Sequence, residues 1–265
     1  MSRRAPVLGA YNAVLGVLLV LPIAVVVISS FTDSNFNGFP PTSWSVRWYL
    51  AAFQNPEVVG ALLTSISIAA LMTGISLVAG CAAALGLRTV QGGLAAAAQT
   101  FFLSPLMLPT IVLGIALLQV FQAVGIVGSL VAIAVGQAVV GIPYVVRLTL
   151  ASLSGVDGDV ERAARSLGAN SIQVLVRITL PLVRQGVIAG ALFSFIMSLD
   201  DVNIALFLSG VHTTPLSVWI FSYIEQNSDP LASAVSSILV ILAAVAIFVC
   251  DRLVGLDWLF GLRTR

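Results

Sequence analysis

Charged residues are scarce in this 265-residue chain: Asp, Glu, Lys and Arg together make up 9% of it, against about 25% in water-soluble domains. Apolar residues make up 59%, and the mean hydropathy is +1.08. This balance excludes disordered, coiled-coil and collagen-like chains and predicts a protein of the lipid bilayer. The formal net charge of +1 offers no basic surface for nucleic acid.

Lysine is absent, since all twelve basic residues are arginine. A Walker A loop needs its lysine on the nucleotide phosphates, so the chain is not itself a P-loop ATPase. The single histidine, His212, has no partners at metal-ligand spacing, and no catalytic set such as HExxH or Ser/His/Asp is found. Cys81 and Cys250 lie in apolar stretches, which favours small buried side chains over a disulfide or a metal site. We expect neither an enzyme nor a resident cofactor in this chain.

Six stretches are long and apolar enough to cross a bilayer, which takes about 20 residues each. We therefore expect an all-α integral membrane protein in which residues 1–265 form one transmembrane domain. The predicted spans are approximately residues 9–31, 58–87, 100–122, 124–150, 186–208 and 231–250.

Arginine placement predicts the orientation, because Lys and Arg in short loops favour the cytoplasmic side. With both termini cytoplasmic, only Arg47 lies outside. The arginines then placed inside are Arg3, Arg4, Arg88, Arg147, Arg162, Arg165, Arg177, Arg184, Arg252, Arg263 and Arg265. The outer loops are residues 32–57, whose aromatic side chains suit interfacial anchoring or solute contact, and residues 209–230.

The cytoplasmic segment 151–184 holds much of the polarity of the chain. It contains an apolar stripe at helical spacing, a glycine able to end that helix and two candidate N-caps for a second helix. These are, in order, Val160, Ala163, Ala164 and Leu167; Gly168; and Asn170 or Ser171. The pattern predicts helix, turn, helix, with Pro181 beyond. Such an element either rests on lipid headgroups or docks on a cytoplasmic partner.

Residues 161–169 (ERAARSLGA), followed by Ile178, Leu180 and Pro181 at the matching spacing, resemble the EAA loop of permease subunits of binding-protein-dependent ABC importers. The EAA positions would be Arg162, Ala163 and Ala164, so an arginine stands where the family has glutamate, with Glu161 one place earlier. Residues 108–116, 198–201 and 213–220 are similar to the second permease subunit of spermidine/putrescine importers.

The resemblance implies a type I importer permease fold in a bacterial inner membrane. The expected partners are a second permease, an ATPase dimer, a solute-binding protein and lipid, with ATP and magnesium bound by the ATPase. The EAA loop would supply the coupling helix. Its expected ATPase-coupling residues are Glu161, Arg162, Ala163, Ala164, Leu167, Gly168 and Ala169.

Asp200 and Asp201 lie about 22 Å along the fifth predicted span. An acidic side chain at such depth is costly and usually faces a cavity or a partner. Either residue could attract a cation on the translocation path, or the pair could be structural. The leading hypothesis is a permease for a polyamine. The alternatives are another solute (2-aminoethylphosphonate, an opine or amino-acid derivative, or ferric ion) or a stand-alone secondary transporter.

Glycine and proline predict local features of the spans. Gly186 and Gly190 are spaced for close helix approach. Pro105, Pro109, Gly114, Gly141 and Pro143 are expected to kink helices or to free backbone carbonyls.

Overall fold

The computed structural model describes residues 4–254. Three arginines of the orientation argument, Arg3, Arg263 and Arg265, lie outside the described residues. The described chain is helical throughout its apolar stretches. Its α-helices are α1 (Arg4–Ser29), α2 (Arg47–Gln54), α3 (Pro56–Thr89), α4 (Gly93–Leu103), α5 (Thr110–Ala123), α6 (Leu130–Leu153), α7 (Gly158–Ser166), α8 (Ser171–Val174), α9 (Leu180–Asp200), α10 (Asn203–Leu208), α11 (Leu216–Gln226) and α12 (Leu231–Val254). A 3₁₀ turn covers Ser104–Met107 and a π turn covers Leu175–Thr179.

Five helical runs among the described residues are long and apolar enough to cross a membrane. They are Tyr11–Ser29, Pro56–Thr89, Leu130–Leu153, Ser171–Asp200 and Leu231–Arg252. A bent pair, Gly93–Met107 with Thr110–Ala123, makes a sixth span if it crosses as one. These runs confirm the prediction of an all-α membrane protein.

The expected third span, residues 100–122, differs most from the structure. In its place two helices meet at an angle of 100°. Leu108 and Pro109 are extended between them, and Pro109 has no N–H with which to continue the preceding helix. The carbonyl of Pro109 accepts from the Leu113 N–H at 3.1 Å and so begins α5.

Two other span boundaries differ from the expected ones. The fourth span starts at Leu130 rather than near residue 124, because Gly125 and Gly128 adopt positive φ in a turn and Ser129 then caps α6. The fifth span ends with α9 at Asp200 and is followed by the separate short helix α10. At its other end it runs through Pro181, which lies in its first turn, where a missing N–H costs nothing.

One compact unit comprises, among the described residues, 61–218 and 243–254. Its core surrounds α6, which packs along α9, while α5 packs along α10. Ile133, Val145 and Val146 of α6 are fully buried. A smaller apolar cluster of Ala84, Leu153 and Val183 joins α3, α6 and α9.

The other compact unit comprises, among the described residues, 4–60 and 219–242. The segment that follows α1 is held by polar contacts: Ser30 Oγ lies 2.6 Å from the Tyr49 hydroxyl, and Trp48 Nε1 donates to the Ser34 carbonyl at 3.1 Å. Asn37 Nδ2 donates to the Asp229 carbonyl at 3.0 Å. The segment expected as a loop therefore has internal structure, including α2.

Gly186 and Gly190 bring α9 against α6, as their spacing predicts. A Cβ at Gly186 would lie 2.5 Å from the Leu148 carbonyl oxygen, and one at Gly190 would lie 3.1 Å from Val145 Cα. Backbone atoms cannot move aside as a flexible side chain can, so Gly186 leaves no room for a side chain, while a side chain at Gly190 would require Val145 to shift by a few tenths of an ångström.

We expect Gly186→Ala to destabilise the subunit by about 1–3 kcal/mol, because the added methyl overpacks a backbone contact. Gly74→Ala is the control, since a Cβ there meets nothing within 4 Å. The measurement is the thermal unfolding midpoint of the purified protein in detergent. Equal midpoints for the two variants would contradict the packing argument.

Candidate functional site

The segment 151–184 forms the predicted helix, turn and helix. Asp157 caps α7 by accepting from the Asp159 N–H at 2.9 Å, and acidic residues fill the first turn, where they favour the helix dipole. Gly168 has φ of +92° and donates to the Arg165 carbonyl, while Ala169 donates to the Ala164 carbonyl. This pair of bonds is the Schellman arrangement that ends a helix on a left-handed glycine.

Of the two candidate N-caps for the second helix, the structure selects Asn170. Its Oδ1 accepts from the Gln173 N–H at 2.8 Å, and Gln173 Oε1 accepts from the Asn170 N–H at 2.9 Å. This reciprocal capping box fixes the start of α8. A π turn then connects α8 to α9, so this segment leads directly into a helix long and apolar enough to cross a membrane.

Apolar side chains of this segment point outward. Leu167 is 89% exposed and Ile172 is 73% exposed, and Val160 and Val176 are about half exposed. Single exposed apolar residues are ordinary, but these four lie within residues 160–176, on both sides of the turn at Gly168. Val160 and Leu167 of the predicted stripe, with Ile172 and Val176, are therefore available to lipid or to a partner.

Glu161 and Arg162 are adjacent in sequence but have different environments. Glu161 Oε1 accepts from Arg88 Nη1 and from Thr179 Oγ1, each at 2.7 Å. Arg162 pairs with Asp159 in its own helix, where both side chains are largely exposed. Glu161 is thus tied to its own subunit, whereas Arg162 stands at the surface beside the exposed apolar side chains.

Burial acts to raise the pKa of the Glu161 carboxyl, but the hydrogen bonds from Thr179 and Arg88 and the charges of Arg88 and Arg165 outweigh it, so the pKa is lowered. A lowered pKa in the folded state adds stability above the ordinary pKa of glutamate, and this stability is lost as the pH falls through the lowered value. At neutral pH the carboxylate is charged and its contacts are present.

The sequence named Arg88 only for the orientation and did not single out Thr179. Arg88 lies in the last turn of α3, some seventy residues before Glu161, and no local spacing rule joins the two. The available signal was that Arg88 is a charged residue at the end of a long apolar helix, which suits the helix dipole but does not name a partner.

Asp200 and Asp201 also have different environments. Asp201 Oδ1 accepts from the Ile204 N–H, and its Oδ2 accepts from the Ala205 N–H at 3.0 Å and from Gln137 Nε2 at 2.9 Å. Ser198 in turn donates to Gln137 Oε1 at 2.5 Å. Asp201 therefore caps α10 and holds it to α6. It lines a small cavity together with Met72, Thr110, Gln137, Val140, Met197 and Ile204.

Asp200, in contrast, is exposed and forms no ion pair or side-chain hydrogen bond within the described residues. An exposed carboxylate beside an apolar helix end is free to meet a cation or a second subunit. The two acids that the sequence left equivalent are thus distinguished by their neighbours.

The break between helices at Pro109 lies next to the break at Asp201. Asn203 Nδ2, at the start of α10, donates to Thr110 Oγ1, at the start of α5, at 2.8 Å. Gly114 lets the two helices approach, since a Cβ there would lie 3.1 Å from the Asn203 carbonyl oxygen. Two interrupted helices therefore support each other through side chains at their first turns.

Within the described residues, no group of three or more His, Cys, Asp or Glu side chains could hold a metal ion. His212 is exposed in the outer segment that precedes α11.

Comparison with known proteins places most of the chain in one family. A family profile described as "Binding-protein-dependent transport system inner membrane component" matches residues 76–256. The spermidine/putrescine transport system permease protein PotC of Haemophilus influenzae is 30% identical over 247 residues, covering 92% of this chain and 95% of that protein. The molybdenum transport system permease protein ModB of Mycobacterium bovis is 32% identical over 222 residues, covering 77% of this chain and 82% of that protein.

Among solved structures, the chain is similar to a subunit of a bacterial ABC transporter involved in the import of the acidic polysaccharide alginate. The TM-score is 0.74, and the match covers 95% of this chain and 96% of that one. The sequence identity is 14%, so this likeness is one of fold.

The contacts of Asp201 predict that Asp201→Asn lowers the thermal unfolding midpoint of the purified protein. An asparagine has one acceptor oxygen for three donors, so at least one donor loses its partner, at a cost of about 1–3 kcal/mol. Asp200→Asn is the matched control and should leave the midpoint unchanged. Equal midpoints for the two variants would show that the capping network does not stabilise the fold.

Proposed function

The chain belongs to the family of binding-protein-dependent transport system inner membrane components, and from this premise we propose that it forms half of the pore through which a polyamine is imported. It is a multi-pass inner-membrane permease subunit of an ABC importer with the type I importer fold. It is not itself an enzyme, because in this class ATP hydrolysis belongs to a separate subunit.

The proposed partners are a second permease, a dimer of ATPase subunits that binds ATP and magnesium, and a solute-binding protein. Leu167 and Ile172 support ATPase docking, because they are exposed on a rigid helix, turn and helix. A short helix that presents apolar side chains can fill a groove of a partner. We assign docking to the exposed surface formed by Leu167 and Ile172, with Val160, Ala163, Ala164, Arg162 and Ala169 around it, and we call this surface the docking face. We assign the geometry of the turn to Gly168.

The proposed orientation has both termini and the segment 151–184 in the cytoplasm. It is supported by the arginine distribution, in which Arg47 alone lies on the outer side. The same orientation directs the docking face toward a cytoplasmic ATPase and Asp200 toward the outer half of the membrane.

The choice of a polyamine as the solute rests on the exposed carboxylate of Asp200. An exposed carboxylate attracts an organic cation and repels an oxyanion, and such effects are strong away from bulk water. The similarity to a spermidine/putrescine permease supports the same choice. The similarity to a molybdenum permease supports an oxyanion as the second candidate.

The solute is tested by ATP hydrolysis of the complete complex in lipid nanodiscs with its solute-binding protein. Putrescine, spermidine, 2-aminoethylphosphonate, ferric ion and molybdate are compared. We expect stimulation by the polyamines. Stimulation by molybdate or by the aminophosphonate instead would contradict the polyamine proposal and leave the family assignment intact.

If Asp200 lines the path, Asp200→Asn should reduce putrescine uptake about tenfold, equivalent to about 1.4 kcal/mol, without reducing assembly. Glu57→Gln removes another exposed acid, in the first turn of α3, and should leave uptake unchanged. Normal putrescine uptake by the Asp200 variant would show that this carboxylate takes no part in the path.

Gly168→Val should uncouple ATP hydrolysis from uptake while the subunit stays in the membrane. A β-branched residue at φ of +92° costs about 1–3 kcal/mol and would redirect α8 relative to α7. Gly158→Val, at the first position of α7 and outside the left-handed region, is the control. Coupled uptake at the normal rate in the Gly168 variant would contradict the role given to this turn.

A further inference from the structure

One carboxylate oxygen joins three separate segments at the cytoplasmic side of the larger compact unit. Glu161 lies in α7, Arg88 is in the last turn of α3, and Thr179 is the last residue of the π turn before α9. Both donors reach Glu161 Oε1 at 2.7 Å. We call these three residues the Glu161 node.

The node is shielded from water. The Glu161 side chain is 16% exposed, that of Arg88 is 28% exposed, and Thr179 is buried. Hydrogen bonds to an ionised group are shorter and about twice as strong as neutral ones. The apolar cluster of α3, α6 and α9 includes Val156 among its partly buried members, one residue before the cap of α7.

The Arg162–Asp159 pair differs in each of these respects. It joins two residues of the same helix, and its side chains are 78% and 70% exposed. Solvated pairs of this kind contribute little to stability. Neutralising a member of this pair therefore serves as a matched control for neutralising Glu161. It removes a charge from the same helix without breaking a link to another segment.

We propose that Arg88 and Thr179 are positioning residues which, through the Glu161 carboxylate, make α7 move as one body with the cytoplasmic ends of α3 and α9. This assigns Glu161 to transmission of motion within the subunit rather than to contact with the ATPase. The inference rests on the family assignment and is independent of the solute.

The node separates docking from transmission. The side chains that would meet an ATPase, Leu167 and Ile172, belong to the docking face and are 89% and 73% exposed, whereas the side chains of the node are mostly buried. Loss of the Glu161 contacts should therefore leave ATP hydrolysis active, while displacement of α7 no longer moves the spanning helices to the same extent.

The test measures a distance within the complete transporter in lipid nanodiscs. Spin labels are attached to cysteines introduced at Ser166 in α7 and Thr89 in α3, both exposed, with Cys81 and Cys250 replaced by alanine. The distance distribution is recorded without nucleotide and with ATP and vanadate. We expect one narrow distribution in both states for the unaltered node.

Glu161→Gln and Arg88→Gln should broaden this distribution and shift its mean by about 2 Å or more between the two states. The charge exchange Arg88→Glu with Glu161→Arg should narrow it again. Asp159→Asn, which breaks the exposed Arg162–Asp159 pair, is the control and should leave it unchanged. Thr179→Val, which keeps the shape of the side chain, should broaden it to an intermediate degree.

Unchanged distributions in the Glu161, Arg88 and Thr179 variants would overturn the proposal, as would equal broadening by Asp159→Asn. If the charge variants fail to assemble, Thr179→Val decides by itself, since it removes at nearly constant volume the hydroxyl that donates to Glu161 at 2.7 Å and to the Val174 carbonyl at 3.4 Å. ATP hydrolysis by each assembled variant shows whether docking persists. Loss of hydrolysis together with a narrow distribution would assign Glu161 to ATPase contact and contradict the node.

Discussion

A backbone polar group within hydrocarbon must find a partner, and this constraint accounts for where the helices of this subunit stop and what stands beside each break. At Pro109 the chain leaves one helix and starts another, and at Asp201 it does so again. Asp201 supplies acceptors for the free N–H groups of α10, and Asn203 joins the two new helices through Thr110. Irregular backbone is thus confined to a place where side chains satisfy it.

The need to pair polar groups also accounts for the different environments of Glu161 and Arg162. With few charges in the chain, a partly buried carboxylate such as Glu161 is tolerated because it is paired and hydrogen-bonded. Its neighbour Arg162, which occupies the position of the family's glutamate, stays at the surface. The contacts of α7 within the subunit and its exposed side chains are therefore made by different residues.

Local patterns in the sequence predicted the membrane class, the helix and turn of the segment 151–184, an N-cap at Asn170 or Ser171 and the close approach at Gly186. Each of these depends on neighbours a few residues apart. A kink at Pro109 was expected, but its angle of 100° and the helix within residues 209–230 were not. The partners of Asp201 were missed, because Gln137 is far from Asp201 in sequence and periodicity carries no information on such pairs. The contact between Arg88 and Glu161 was missed for the same reason. The importer class and the expected partners were inferred from the family resemblance, because no local pattern in the sequence indicates them.

The central claim is that the segment 151–184 faces an ATPase in the cytoplasm. It is tested most directly by placing a photoreactive amino acid at Leu167, which is 89% exposed, and irradiating the assembled complex in membranes. The account predicts a covalent adduct between this subunit and the ATPase subunit. Adducts with lipid alone, or with a protein on the outer side of the membrane, would contradict it.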